Sequence, residues 1–387
     1  MSRFIQIHAL TSYPPSNPNR DDQGRPKTAM VGGALRLRIS SQSLKRAMRT
    51  SVAFQSDLGE LLGDRTRMIG DVILNALLEK GHPEEAARNA AADVASIFGK
   101  VDDPKGDEAR TVQTNQLVFV SKEEQDKAIT LAERVLAGEV TKKKKKNADD
   151  DDETTTGIDT RFRKDVLNAV DRAADIGMFG RMLADAPEYN RDAAVQVSHA
   201  ITTHAAVIED DFFTAVDDLQ TRSDEAGAGA GMMGEQGFGS GVYYVYATID
   251  VAQLLKNLGP SNGVEDVAQM AVSAFVDAVA TACPTGKQNS FANRPRASYL
   301  RVEIGDQQPR DLSGAFFKPV RDEDMMRTSI ESLETMAEKL DRAYGPCADD
   351  VAIMDITRDT GSLRELKAFA GQAVPAQPTR SSPDEAA

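Results

Sequence analysis

Residues 3–10 read RFIQIHAL, a stretch in which the side chains alternate between two sides of an extended backbone. Ile5, Ile7 and Ala9 fall on one side, and the residues between them fall on the other. Period-two alternation of this kind predicts a β-strand with one apolar face. The segments on either side of this strand decide which sheet it joins.

Residues 38–49, RISSQSLKRAMR, predict an amphipathic helix after the first strand and a loop. Ser40 or Ser41 can cap it. At helical spacing, Gln42, Lys45 and Arg49 share one face, and the opposite, buried face is expected to carry Leu44, Ala47 and Met48.

This helix carries cations and no acid. Unpaired N–H groups in a first helical turn attract anions, and like charges four residues apart, here Lys45 and Arg49, repel each other. An external polyanion such as a nucleic acid is a natural counter-charge. A merely solvated basic face is the alternative that composition leaves open.

Later segments supply the other elements of an α+β fold. Strands are predicted over 242–249 and 300–304, with an amphipathic helix over 267–278 between them, so that the order is β-α and then β-α-β. That order is compatible with a split ferredoxin-like sheet. Helices are also predicted over 69–77, from Pro83, from the capping box that begins at Ser121, and over 326–340.

Six collinear segments resemble the backbone subunit of the type I-E CRISPR surveillance complex Cascade, the CasC family of the RAMP superfamily. They are SRFIQIH (2–8), NRDD (19–22), RISSQSLKRAMR (38–49), VSHAITTH (197–204), FTAVDDL (213–219) and SGVYY (240–244). The resemblance covers nearly the whole chain, and its motifs are long and specific.

The resemblance implies an α+β architecture: an RRM-like, ferredoxin-like palm with a helical fingers insertion and a β-hairpin thumb. The palm would be discontinuous, over 1–58 and 180–370. The fingers would span 59–179 and the thumb hairpin 188–225 within the palm, and residues 371–387 would be a disordered tail. We expect the glycine-rich residues 227–241 to form a mobile link.

The resemblance also implies a non-enzymatic protein that polymerises head to tail along CRISPR RNA and presents it for pairing with target DNA. Its partners would be copies of itself, the large, small, guide-end-capping and guide-processing endonuclease subunits of Cascade, and a recruited helicase-nuclease. No cofactor is implied. The RNA contacts that it implies are Arg20, Lys27, Arg38, Ser40, Gln42, Lys45, Arg46, Arg49, Met182, Phe212 and Phe213.

Net charge is −14, yet the first fifty residues carry nine Lys and Arg against two Asp. Any nucleic acid is therefore expected to bind a basic stripe and not the whole surface. Only Cys283 and Cys347 are present, without a CxxC pair, which fits a reducing cytosol. The sequence shows no membrane span or signal peptide, so a cytoplasmic location is expected.

The lysine run Lys142, Lys143, Lys144, Lys145 and Lys146 is a candidate DNA contact. Each lysine near a phosphate releases counterions and adds affinity without regard to sequence. The resemblance favours this role, because the family's fingers present lysines toward the target duplex. Five acidic residues follow over 149–153, so a self-neutralising loop is the alternative.

Catalytic and metal sites find little support in the sequence. The histidines at 199 and 204 are five residues apart, without a nearby cysteine to complete a zinc site. No GxxxxGK[ST] motif is present. Relatives in type III complexes cut RNA with a loop aspartate, so a metal-dependent ribonuclease using Asp21 or Asp22 is the competing hypothesis, and a free-standing RNA chaperone is a third.

Overall fold

The computed structural model describes residues 3–102, 111–140, 142–145, 154–158, 160–215 and 232–375. The chain divides into two compact units. The first comprises Met1–Asp57, Val195–Asp250 and Val272–Val374, and the second comprises Leu58–Ala194, Val251–Ala271 and Pro375–Ala387. Residues 180–194 and 251–271, which the resemblance implies for the palm, thus belong to the second unit.

The first unit is built on a nine-stranded antiparallel sheet in the described chain. Its strands are β1 (Phe4–Ser16), β2 (Thr28–Val31), β3 (Ala34–Ile39), β8 (Val195–Val197), β9 (Ala200–Thr202), β10 (Glu209–Ala215), β11 (Met232–Asp250), β12 (Ala297–Gly305) and β13 (Asp350–Asp355). The order is β13-β12-β1-β11-β9-β3-β2, and β8 and β10 also pair with β11.

The central strands have the ferredoxin-like arrangement. Helix α1 (Ser41–Arg49) follows β1, and α9 (Val264–Thr281) connects β11 to β12. Along the chain this gives β1-α1-β9-β11-α9-β12, and across the sheet the order is β12-β1-β11-β9. Numbered in chain order, this is the 4-1-3-2 order of the split βαβ fold. The predicted fold class is confirmed: a mixed α/β, RRM-like architecture.

Both faces of this sheet are buried. Helix α11 (Met325–Tyr344) covers one face through a cluster that includes Leu10, Tyr244 and Leu333. Ile5, Ile7 and Ala9 on the opposite face are also fully buried. Helices of this unit with buried apolar residues that can cover them include α1 and residues 272–280 of α9.

A buried polar cluster on the α11 side explains why the second face of β1 carries Gln6 and His8. Glu303 is fully buried and accepts bonds from Arg301 and Arg310, and Arg310 also contacts Asp341 of α11. Burial raises the pKa of the Glu303 carboxyl, but His8, Arg310 and Arg301 beside it outweigh burial and hold that pKa well below its usual value. Such pairing is what allows a charge to be buried.

The glycine-rich stretch forms an arm of the sheet. Residues 232–238 of β11 pair with β10, from Ala215 opposite Met232 to Glu209 opposite Phe238. The prediction of a mobile link is therefore wrong for residues 232–241, and residues 227–231 lie outside the described part. We call β10 with residues 232–238 the arm. Residues 232–238 of the arm lie beyond the predicted thumb bounds of 188–225. The strands β8 and β9 lie within those bounds, but they join the main sheet.

The second unit is mainly helical among its described residues. Its elements are α3 (Ile69–Glu79), α4 (Glu84–Ala95), α5 (Lys122–Leu136), α6 (Arg163–Val166), α7 (Ala174–Phe179) and α8 (Val251–Leu258), with β4 (Asp64–Thr66) pairing β5 (Val118–Val120) and β6 (Lys142–Lys145) pairing β7 (Thr154–Ile158). Helices α3 to α5 share an apolar core that includes Ile73, Val94 and Leu131.

The predicted capping box at Ser121 is confirmed: its hydroxyl accepts from the Glu124 N–H, and the Glu124 carboxylate accepts from the Ser121 N–H. Pro83 is the N-cap of α4 and not a residue of its first turn. Among the described residues, the remaining α-helices are α2 (Val52–Leu58), α10 (Gln288–Phe291) and α12 (Leu363–Gly371).

Candidate nucleic-acid interface

Helix α1 forms as its sequence predicts. Ser40 is the N-cap, with extended backbone angles, and its hydroxyl accepts from the Ser43 N–H at 3.4 Å. Leu44 and Met48 are buried, whereas Ala47 is only partly buried. The buried face of the helix is therefore narrower than predicted. Gln42 and Arg46 are exposed, and Lys45 and Arg49 are partly exposed.

The first turn of α1 offers fewer N–H groups to an anion than its sequence suggests. The Ser41 N–H donates to Nδ1 of His199 at 2.8 Å, and the Ser43 N–H is taken by the cap. Two of the three N–H groups at the start of this helix thus have protein acceptors. Anion binding near this terminus must rely mainly on side chains.

The loop before β2 is tied to the start of α1. Asn19 Oδ1 accepts from the Ser40 N–H at 2.8 Å, and the Asn19 carbonyl accepts from the Lys27 N–H at 2.9 Å. The Arg38 N–H donates to the Lys27 carbonyl at 2.8 Å. These bonds bring Arg20, which follows Asn19, together with Lys27 and Arg38 at one edge of the sheet.

The electrostatics of this edge are positive. Burial lowers the pKa of His199, and the nearby Arg38 and Lys27 lower it further. Burial also lowers the pKa of Lys45 from its ordinary value of 10.5. In the described ranges no carboxylate forms an ion pair with any of five predicted RNA-binding cations, namely Arg20, Lys27, Arg38, Lys45 and Arg46. In a chain with 60 acidic residues, this leaves positive charge available to a polyanion.

The two acidic candidates for catalysis lie in the adjacent turn. Asp21 Oδ1 accepts from the backbone N–H groups of Gln23 at 3.0 Å and Arg25 at 2.9 Å. This is the local turn geometry that aspartate favours. Asp22 is exposed. Within the described residues, no group of three or more His, Cys, Asp or Glu side chains could hold a metal ion.

His8 and His204 have structural partners. His8 Nδ1 lies 2.9 Å from the Tyr244 hydroxyl, and its ring stacks on Tyr246. His204 Nδ1 lies 2.9 Å from the Ala205 carbonyl, while its Nε2 accepts from the Val242 N–H at 3.3 Å. Each of these two rings therefore contacts the sheet or the loops that flank it.

Phe212 and Phe213 lie on the arm, and both are exposed. Phe213 is opposite Gly234, and a Cβ built on Gly234 would lie only 2.5 Å from Phe213 Cζ. The Phe213 ring therefore rests on the bare backbone of Gly234. Because neighbouring residues of a strand point to opposite faces, Phe212, 64% exposed, presents its ring on the other face.

The base of the arm is fixed to the loop that carries the cations. Arg25 Nη2 donates to both carboxylate oxygens of Asp210, at 2.9 and 3.1 Å. Asn17 Nδ2 donates to the Gly237 carbonyl at 2.9 Å and to the Gly24 carbonyl at 3.0 Å. The arm and the basic edge of the sheet therefore belong to one bonded assembly.

Two further sets of candidates lie in the second unit. Met182 is 76% exposed between the buried residues Arg181 and Leu183. Residues Lys142–Lys145 form β6, in which Lys142 pairs with Ile158 and Lys145 with Thr154. Lys146 and the acidic residues 149–153 lie outside the described residues.

Sequence reasoning missed two arginines of the first unit. Arg294 and Arg296 precede β12, and they line a groove that Arg20 and Arg46 also line. Burial raises the pKa of the Cys283 thiol on this groove to about 11, and Arg294 acts in the opposite direction. The Arg-Pro-Arg pattern before a strand was the signal available in the sequence.

None of the helices in the described part of the chain combines the length and apolar character of a membrane span. No curated protein matches the chain. A family model described as CT1975-like protein, a Cas family, matches residues 5–374.

Two solved structures are similar in fold over nearly all of the chain. A chain of a structure described as a CRISPR RNA-guided surveillance complex, pre-nicking, is 30% identical, with a TM-score of 0.81 over 96% of this chain and 100% of its own. A chain of a second CRISPR RNA-guided surveillance complex is 25% identical, with a TM-score of 0.68 over 95% of this chain and 99% of its own.

Proposed function

The chain belongs to the CT1975-like family of Cas proteins, and we propose that it is the CRISPR RNA-binding backbone subunit of a type I-E Cascade complex. In this role, copies assemble head to tail along the guide RNA and present its bases to target DNA. Its place of action is the cytoplasm. Its further partners are the other Cascade subunits and the helicase-nuclease that the complex recruits.

The cluster of unpaired cations around the start of α1 carries this proposal. Arg20, Lys27 and Arg38 come together through the Asn19 and Ser40 bonds, and Lys45 and Arg46 follow on α1. Contacts from arginine and lysine to phosphate position a nucleic acid without reading its sequence. A backbone subunit needs this property, because its guide sequence varies while base pairing supplies the specificity.

The arm and the lysines of β6 have complementary roles in this proposal. Phe212 offers an aromatic face, which can stack on a base or separate two bases. Lys142–Lys146 supply sequence-independent contacts to target DNA. Met182 supplies an exposed apolar contact for the guide.

We propose no catalytic role for Asp21, whose carboxylate caps the turn over residues 21–25. Incubating the assembled complex with guide-matched RNA and Mg²⁺ tests this directly. Intact RNA is expected, and cleavage that is lost in Asp21→Asn or Asp22→Asn would establish the ribonuclease hypothesis.

Light scattering coupled to size-exclusion chromatography, with and without a guide-length RNA, tests the proposed function. The protein is expected to move from a low-mass species to a particle with several copies per RNA. A complex of one copy per RNA would favour an RNA chaperone, and the absence of any complex would contradict RNA binding.

A further inference from the structure

A groove of about 990 Å³ lies within the first unit, beside the exposed side of α1. One wall comes from α1 and α2, including Arg46 and Val52, and another comes from the loop between α9 and β12, including Thr285, Arg294 and Arg296. Arg20 and Asp21 line it as well. The groove therefore joins the predicted basic helix to a loop about 250 residues later in the chain.

Four arginines and three aspartates line the groove, a net charge of +1. None of the four arginines that line it has an ion-pair partner in the part of the chain that the structure describes: Arg20, Arg46, Arg294 and Arg296. The acidic groups beside them are already engaged. Asp21 caps its own turn, and Asp277 and Asp57 lie 2.9 and 3.7 Å from Lys367 Nζ.

The loop that presents Arg294 and Arg296 is held in a strained conformation. Lys287 and Ala292, at the two ends of α10, have φ angles of 51° and 52°. For residues other than glycine, such left-handed angles are energetically unfavourable, and they tend to cluster at functional sites. The shape is fixed by a bond from Gln288 Nε2 to the Asn293 carbonyl at 3.0 Å.

A close approach also fixes this loop against the one that carries Arg20. The backbone of Gly286 lies so near the Pro18 carbonyl that any Cβ there would collide with it. The loop before β12 is therefore held against the loop that carries Arg20, and the arginine side chains are left to meet a ligand.

We propose that this groove binds the sugar–phosphate backbone of single-stranded RNA, with Arg294 and Arg296 facing Arg46 across the strand. The inference rests on the proposed function and deepens it, because it adds a second wall opposite two of the predicted RNA contacts, Arg20 and Arg46. Arginine suits this role because its planar fork donates two hydrogen bonds to one phosphate.

The test measures binding of the full chain to a labelled single-stranded RNA of mixed sequence at several salt concentrations. Each phosphate contact on a single strand contributes about 0.7 to the slope of log K against log salt. The double variant R294A/R296A is expected to lose about 1.4 from that slope, which corresponds to a roughly 14-fold weaker complex at 0.15 M salt. R294K/R296K, which keeps the charge, is expected to keep most of the slope.

Two matched variants separate the possible failures. K339A/R342A removes two exposed charges from α11, on the sheet face opposite Ile5 and Ile7, and is expected to leave the slope unchanged. K27A/K45A tests the proposed function itself. A slope lost in K27A/K45A but unchanged in R294A/R296A would overturn the groove alone. A wild-type protein without salt-dependent RNA binding would overturn both.

Competition identifies the form of the ligand. Adenosine monophosphate at the same total phosphate concentration as the RNA is expected not to displace it, because a strand engages several cations at once. Displacement at that concentration would overturn the assignment to a strand and favour a mononucleotide site. Thermal melts of each variant, matching wild type, show that its effect is not a loss of folding.

Discussion

Removing Lys27 and Lys45 together should weaken guide binding by an amount that the structure sets. Both cations are partly exposed, and neither forms an ion pair within the described ranges. If each meets one phosphate of a single strand, K27A/K45A loses about 1.4 from the slope of log K against log salt. At 0.15 M salt this is roughly a 14-fold loss of affinity, and at 1 M salt wild type and variant converge.

Fluorescence anisotropy with one labelled RNA, repeated at salt concentrations between about 0.05 and 0.5 M, resolves such a difference in slope. The fold should survive, because neither side chain is part of the apolar core formed by Leu44 and Met48. The control is K339A/R342A on α11. An equal slope of log K against log salt in K27A/K45A and in wild type would refute phosphate binding by these residues. It would favour the alternative that α1 has a merely solvated basic face.

Four further changes test other parts of the molecule. Deleting residues 210–213 from the exposed arm should leave a cooperative melt but impair stacking of copies on the guide; loss of the melt would contradict this. Neutralising Lys142–Lys146 should weaken binding of target DNA at low salt and spare guide assembly; unchanged DNA affinity would show that the acidic residues 149–153 cancel the run. The carboxylate of Glu124 is fully buried against Arg181, with an N···O distance of 2.6 Å. In a denaturant titration, Glu124→Gln should therefore destabilise the second unit by about 3–5 kcal/mol. The control Glu123→Gln removes a charge from an exposed ion pair and should cost under about 1 kcal/mol. Burial lowers the pKa of His199 below its ordinary value of 6.5. The unfolded chain therefore binds the proton more tightly, and the stability of the protein falls as pH drops below about 6.5. His199→Asn keeps an acceptor for the Ser41 N–H and should flatten that part of the pH profile of stability; an unchanged profile would contradict the role of His199.

Local patterns in the sequence predicted the elements whose cause is local. The Ser40 cap, the buried Leu44 and Met48, and the capping box at Ser121 all depend on residues within one or two helical turns. The alternation of residues 3–10 likewise predicted β1. The order of the strands required the resemblance, because strand pairing joins residues far apart in the chain.

The glycine-rich stretch was misread because its strand is stabilised by distant side chains. Composition alone argues for flexibility at 227–241, since glycine is a poor strand former. In the structure, Phe213 packs on Gly234, Pro26 lies against Gly237 and Leu37 lies against Gly239. A Cβ would lie within 2.5 Å of Phe213 at Gly234, 2.7 Å of Leu37 at Gly239 and 3.2 Å of Pro26 at Gly237, and the partners of Gly237 and Gly239 are about 200 residues away.

The groove was missed for a similar reason. Arg46 was recognised from the helix around it, but Arg294 and Arg296 have no periodic pattern of their own. Only the antiparallel pairing of β12 with β1, in which Thr11 lies opposite Ala297, brings the loop before β12 near the chain segment that follows β1. A long-range register of this kind cannot be deduced from a single sequence.

Polymerisation along the guide can be measured as the mass of the RNA-bound particle at several RNA lengths. If copies polymerise along the guide, mass photometry should show the number of copies rising in proportion to the length of the RNA, by one copy for each fixed increment. A number of copies that stays constant as the RNA is lengthened would contradict polymerisation along the guide, because the number of copies bound at a single RNA site does not depend on RNA length.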